Sequence, residues 1–127
     1  MRARKVIRVV IESPYAGNIF QRWRNRRYAR KCMLDSLNRG EAPYASHLLY
    51  TQVLDDSKPL DRSRGIMAGQ KWLAGADAVA VYTDLGISKG MEAGINVAKE
   101  LCKPIHYRSL DSKNSIMKAI HERNWTG

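Results

Sequence analysis

The sequence predicts an α/β fold, a doubly wound parallel sheet of roughly four or five strands, flavodoxin-like or Rossmann-like, in a single domain over residues 1–127. Three observations predict it. Short β-branched runs alternate with longer segments of helical periodicity in the order β-α-β-α-β-α-β-α. Two of those runs, Val6–Ile11 and Ala78–Tyr82, are almost uninterrupted, as strands covered on both faces are. The connections are short, and no internal repeat, low-complexity stretch or linker divides the chain.

Taken in order, Val6–Ile11 is expected as the first and central strand, ended by Glu12, Ser13 and Pro14. Tyr15, Ala16, Gly17 and Asn18 form a tight loop into a helix over Asn18–Asn38. Its inner face is read as Ala29, Cys32, Met33, Ser36 and Leu37, and Gly40 closes it. Pro43–Ser46 is a short second strand, His47–Val53 a helical turn and Asp55–Pro59 a surface loop. A second long helix starts near Leu60 and Asp61, turns Ile66, Gly69 and Leu73 inward with Trp72 as packing, and ends around Gly75. After the strand Ala78–Tyr82 comes a helix whose stripe is Met91, Ile95, Ala98 and Leu101. A fourth strand, Pro104–Tyr107, and a last helix, Ser112–Glu122, complete the chain.

Composition narrows the classes. The apolar content of 44% suits a globular domain, and no apolar run approaches the roughly 20 residues of a membrane span. The basic start, Met1–Lys5, leads directly into a strand rather than a signal peptide, so a cytoplasmic location is expected. Cys32 and Cys102 are read as reduced core residues, and His47, His106 and His121 lack metal-ligand spacing, so no metal or cofactor is expected. Of the net charge of +10, residues 1–40 carry +9, much of it in Arg22, Arg24, Arg26, Arg27, Arg30 and Lys31. These spread around a helix, either as a solvated face or as a field attracting a phosphorylated small molecule or a nucleic-acid backbone.

The stretch Asp84–Ala98, DLGISKGMEAGINVA, carries the most chemistry. It follows a strand and opens a helix, which in a parallel sheet places its loop at the carboxyl edge where such folds bind ligands. Thr83, Asp84, Gly86 and Ser88 supply turn and N-cap chemistry, and Ser88, Lys89 and Gly90 would meet an anion at the helix start. Gly86, Gly90 and Gly94 are poor helix residues, explained by close backbone approach to a ligand or by tight packing. Glu92 is either an ordinary first-turn acid or an ionised nucleophile. The same edge should collect the loop after the first strand, with Ser13, Tyr15, Gly17 and Asn18, and the end of the second, with Ser46 and His47.

The pattern Asp84, Gly86, Gly90, Met91, Glu92, Gly94, Ala98 resembles the catalytic helix start of nucleoside 2-deoxyribosyltransferases and the related deoxynucleoside 5′-monophosphate N-glycosidases. Ser13-Pro14-Tyr15 after the first strand, Ala76-Asp77 before the third and Lys103-Pro104 entering the fourth extend the resemblance over Val6 to about Tyr107. ESPYAG, GEAPYASHLLYTQ and YTDLGISKGM also resemble a group of small phage and bacterial proteins. The resemblance implies that Glu92 attacks the anomeric carbon, that Tyr15 orients Glu92 by a hydrogen bond, and that Asp84 meets the base. Asp84 and Glu92 are eight residues apart, wider than in the transferases.

The leading expectation is therefore cleavage or exchange at the N-glycosidic bond of a nucleoside or nucleotide, phosphorylated given the basic half. The alternatives are a nucleotide-binding module without turnover, acting as sensor or sponge, and a nucleic-acid-binding accessory protein working through the basic first helix. Trp23, Trp72 and Trp125, together with the resemblance, lead us to expect a homodimer or larger assembly.

Overall fold

The computed structural model describes residues 5–110, so the expected helix Ser112–Glu122 and Trp125 lie outside the described residues. Strand β1 spans Arg8–Glu12, helix α1 Ile19–Asn38 and strand β2 Ala42–Tyr44. A short helix α2, Ser46–Leu49, runs into a 3-10 turn at Tyr50–Gln52. Helix α3 (Pro59–Ala74), strand β3 (Ala78–Tyr82), helix α4 (Lys89–Glu100) and strand β4 (Ile105–Arg108) follow.

The four strands form one sheet in the order β2-β1-β3-β4, every pair parallel. β1 is interior, as its β-branched sequence requires. Strand parity then assigns the two faces. Val9, Ile11, Ala78, Ala80 and Tyr82 pack with Tyr28 and Cys32 of α1. Val10, Val79 and Val81 pack with Leu73 of α3 and with Met91, Ile95 and Ala98 of α4. The chain after β1 therefore crosses one face toward β2, whereas the chain after β3 crosses the other toward β4. The strand order reverses between β1 and β3, and that is where a parallel sheet opens a crevice at its carboxyl edge.

Local signals set the helix ends. Asn18 accepts from the Gln21 N–H at 2.9 Å while the Gln21 side chain accepts from the Asn18 N–H at 2.9 Å, a reciprocal cap. Ser88 accepts from the Met91 N–H at 3.2 Å. Gly40 takes φ +83° just past α1, a conformation that favours glycine.

Several core assignments need correction. Ile66 is half exposed and Leu73 is the one buried side chain of α3, because only its last turn reaches the sheet. Trp72 lies outside the core: 55% exposed, it stacks on Tyr44 at 5.3 Å and donates its indole N–H to the Tyr50 hydroxyl at 2.9 Å. Leu37 and Leu101 are exposed, the first at the flank of α1 and the second beyond the end of α4. Cys32 is buried as expected, but Cys102 is exposed, in the turn before β4.

Candidate functional site

At the carboxyl edge the loop after β1 meets the helix after β2. Tyr15 is buried and its ring stacks on His47 of α2, centroids 5.1 Å apart and nearly parallel. The loop is fixed from behind by Asn25 of α1, fully buried, whose amide donates to the Tyr15 carbonyl at 3.0 Å. Ser13 is buried beside it, while Gly17 (φ +146°) and the cap Asn18 lie exposed at the rim. Burial holds the His47 imidazole below its ordinary range, against a smaller opposing pull from Asp56. Next to it is a cavity of about 70 Å³ lined by Ser46, His47, Tyr50, Asp56, Asp61 and Arg62, among others. Arg22, one turn into α1, has a buried Nε without a hydrogen-bond partner among the described residues.

The β3–α4 loop is organised around Asp84. Its carboxylate accepts from the Tyr28 hydroxyl at 2.5 Å, the Ser109 hydroxyl at 2.7 Å and the Leu110 N–H at 2.9 Å. The Asp84 N–H in turn donates to the Tyr28 oxygen at 3.0 Å. Partial burial would raise this carboxyl, but the Tyr28, Leu110 and Ser109 donors outweigh it and hold it below the usual carboxylate range. Asp84 thus ties the β3 loop to α1 and to the chain leaving β4. Gly86 adopts φ +84° with open space around it, and Lys89 and Gly90 are exposed. The Ser88 hydroxyl is engaged as the α4 cap.

Glu92 sits on the first turn of α4 with an exposed side chain. The glycine two residues on faces a different carboxylate. A methyl group on Gly94 would lie 2.7 Å from Cδ and 2.9 Å from Oε1 of Glu12, so the Glu12 side chain occupies the place a Cβ would fill. Glu12 ends β1 opposite Val81 of β3, at the strand-order reversal, and points to the α4 face because it follows Val10 by two residues. Burial alone pushes its carboxyl up to about 8, from an ordinary 4.5.

The expected site residues are thus distributed. Tyr15 and His47 come together, Asp84 is engaged by Tyr28, and Glu92 stands at the head of α4. Glu12 and Tyr28 escape a reading of motifs. Both could have been found by periodicity, Glu12 from its parity with Val10 and Tyr28 from its place one turn before Cys32 on the inner stripe.

The family model described as a domain of unknown function, DUF7768, matches residues 7–108. The chain belongs to the DUF7768 family. Its matched span runs from the residue before β1 to the last residue of β4, so in this chain the DUF7768 domain is the four-stranded sheet with its covering helices. No curated protein matches the sequence. Among the described residues no group of three His, Cys, Asp or Glu side chains could hold a metal ion, and no helix is long and apolar enough to cross a membrane.

Proposed function

We propose that this DUF7768 protein binds a nucleoside or nucleotide in the crevice at the β1–β3 strand-order reversal and cleaves, or exchanges the base at, its N-glycosidic bond. The observation that carries the reading is the glycine-flanked head of α4 with its exposed carboxylate, Glu92, placed at that edge of the sheet. Glu92 is the nucleophile toward the anomeric carbon, and the covalent glycosyl intermediate is resolved by water or by a second base. Tyr15 and His47 form one wall, an aromatic pair suited to a base or sugar face. The partnerless Nε of Arg22 and the basic charge of residues 1–40 favour a phosphorylated substrate. Asp84, with its carboxylate held by Tyr28, Ser109 and Leu110, acts as a positioning residue for the loop rather than as a contact to the base.

The protein works in the cytoplasm and self-associates. α3 buries only Leu73 and leaves Leu60, Ile66 and Met67 exposed, an apolar face of the kind a second copy would cover.

The test is release of free base from each deoxynucleoside and its 5′-monophosphate, followed chromatographically. Glu92→Ala and Glu92→Gln are expected to lower release by at least about 10³-fold with the fold intact. Undiminished release by Glu92→Ala overturns the reading. The second reading, a nucleotide-binding module without turnover, is favoured by the exposure of Glu92 and by the engagement of Asp84. It predicts saturable nucleotide binding, no released base and little response to Glu92→Gln.

A further inference from the structure

We propose that Glu12 is the proton donor to the departing base. The inference rests on the N-glycosidic reading above and adds to it a residue outside the glycine-rich helix start.

Three observations meet at Glu12. It is the last residue of β1, paired with Val81 where the crossover after β1 and the crossover after β3 leave on opposite faces of the sheet. Its carboxyl fills the gap that Gly94 leaves in α4, the helix whose exposed first turn carries Glu92. No hydrogen bond or ion pair from a described residue engages it. A part-buried carboxyl held this way gives up hydration without gaining a partner, an arrangement that is costly for folding alone. Burial is the whole cause of its raised pKa, and no charged group on β3, α4 or the loop after β1 contributes. A protonated carboxylic acid near neutral pH is what a leaving-group acid must be.

The chemistry balances. In the first step a carboxylate oxygen of Glu92 forms a bond to C1′ while the C1′–N bond breaks, its electron pair passing to the base. The base takes the Glu12 proton, leaving Glu12 as carboxylate. In the second step water attacks C1′, the bond to Glu92 breaks with its pair returning to the Glu92 carboxylate, and Glu12 recovers a proton from that water. The products are free base and free sugar, and both side chains regain their starting states.

The experiment compares the full-length protein with Glu12→Gln, a near-isosteric change, on two substrates. One is the deoxynucleotide with the highest base release, and the other is its analogue with a 7-methylguanine base, which already carries a positive charge and leaves without protonation. On the ordinary substrate Glu12→Gln is expected to lower kcat by about 10²-fold or more with little change in KM. On the methylated one it should run within a few fold of the parent. Base release from the ordinary substrate by the parent protein should fall as pH rises through about 8, and the variant should lose that limb. Circular dichroism checks that the variant is folded.

An equal loss on both substrates, or no loss on either, overturns the role of Glu12 while leaving Glu92 chemistry standing. A parent protein that releases base from neither substrate overturns the N-glycosidic reading itself, and the proton donor with it. To keep the residue testable apart from turnover, the side-chain carboxyl can be followed by carbon NMR. A midpoint near 4.5 rather than about 8 also overturns the proposal.

Discussion

Replacing Glu12 by glutamine should change the pH dependence of folding stability in a calculable way. In the folded protein the carboxyl ionises near pH 8, whereas the free side chain ionises near 4.5. A raised folded pKa means that its contribution is fully present below pH 4.5 and is lost as pH rises through 8, because over that window the unfolded chain gives up a proton that the folded chain keeps. Each pH unit between the two values is worth about 1.4 kcal/mol. The parent protein therefore loses about 3 kcal/mol between pH 4.5 and pH 7, and about 5 kcal/mol by pH 9. Against a typical total of roughly 5 to 15 kcal/mol this is a large fraction. Glutamine has nothing to ionise, so Glu12→Gln should gain on the parent by that amount across the same window. Urea unfolding at pH 4.5, 7 and 9 measures it, since titrations common to both proteins cancel in the difference. Parallel stability curves for the two proteins would refute the assignment of Glu12 as a desolvated, partnerless acid.

Gly94→Ala should fold, because the atoms it displaces are the far end of the Glu12 side chain. The Glu12 carboxyl, whose Oε2 lies closer still than Cδ at 2.7 Å, must retreat by roughly 1 Å to reach ordinary contact. The carboxyl midpoint, read by carbon NMR, should then drop toward 4.5 as the group moves into water. Asp84→Ala strands the Tyr28 hydroxyl and frees the β4 exit, for an expected loss of about 1 to 3 kcal/mol in urea unfolding. Because the folded Asp84 carboxyl is depressed, its contribution is present above the unfolded value and fades as pH falls into the acid range, so the parent and Asp84→Asn should converge there. Arg108 pairs with Glu41 through two bonds of 2.7 Å, and Arg108→Met should cost about 3 kcal/mol by leaving a part-buried carboxylate without its ion pair, held by the Ser36 hydroxyl. Light scattering should find a dimer or larger species, and Met67→Glu should dissociate it; a monomer at high concentration would remove self-association from the reading.

The order of strands and helices could be read from the sequence because each apolar run carries its own period: Val9, Val10 and Ile11 cannot all be buried except in a strand covered on both faces. The buried stripe Met91, Ile95 and Ala98 and the caps Asn18 and Ser88 are equally local, set by spacing along a single helix. The same local spacing misplaces Ile66 and Trp72, because a helix can be amphipathic along its whole length yet touch the sheet only at its last turn, as α3 does. The three-loop edge could be inferred from topology, but not which side chains meet there. Asp84 reads as a free acid in the sequence, and only the approach of Tyr28, 56 residues earlier, and of Ser109 shows it to be engaged. Glu12 reads as the polar end of a strand. Its desolvation depends on Gly94 of α4 lying against it, a contact between elements 82 residues apart. Sequence fixes what each residue can do within its own element, while burial and partnership depend on which elements the folded sheet brings into contact, and those set the protonation state of a carboxyl.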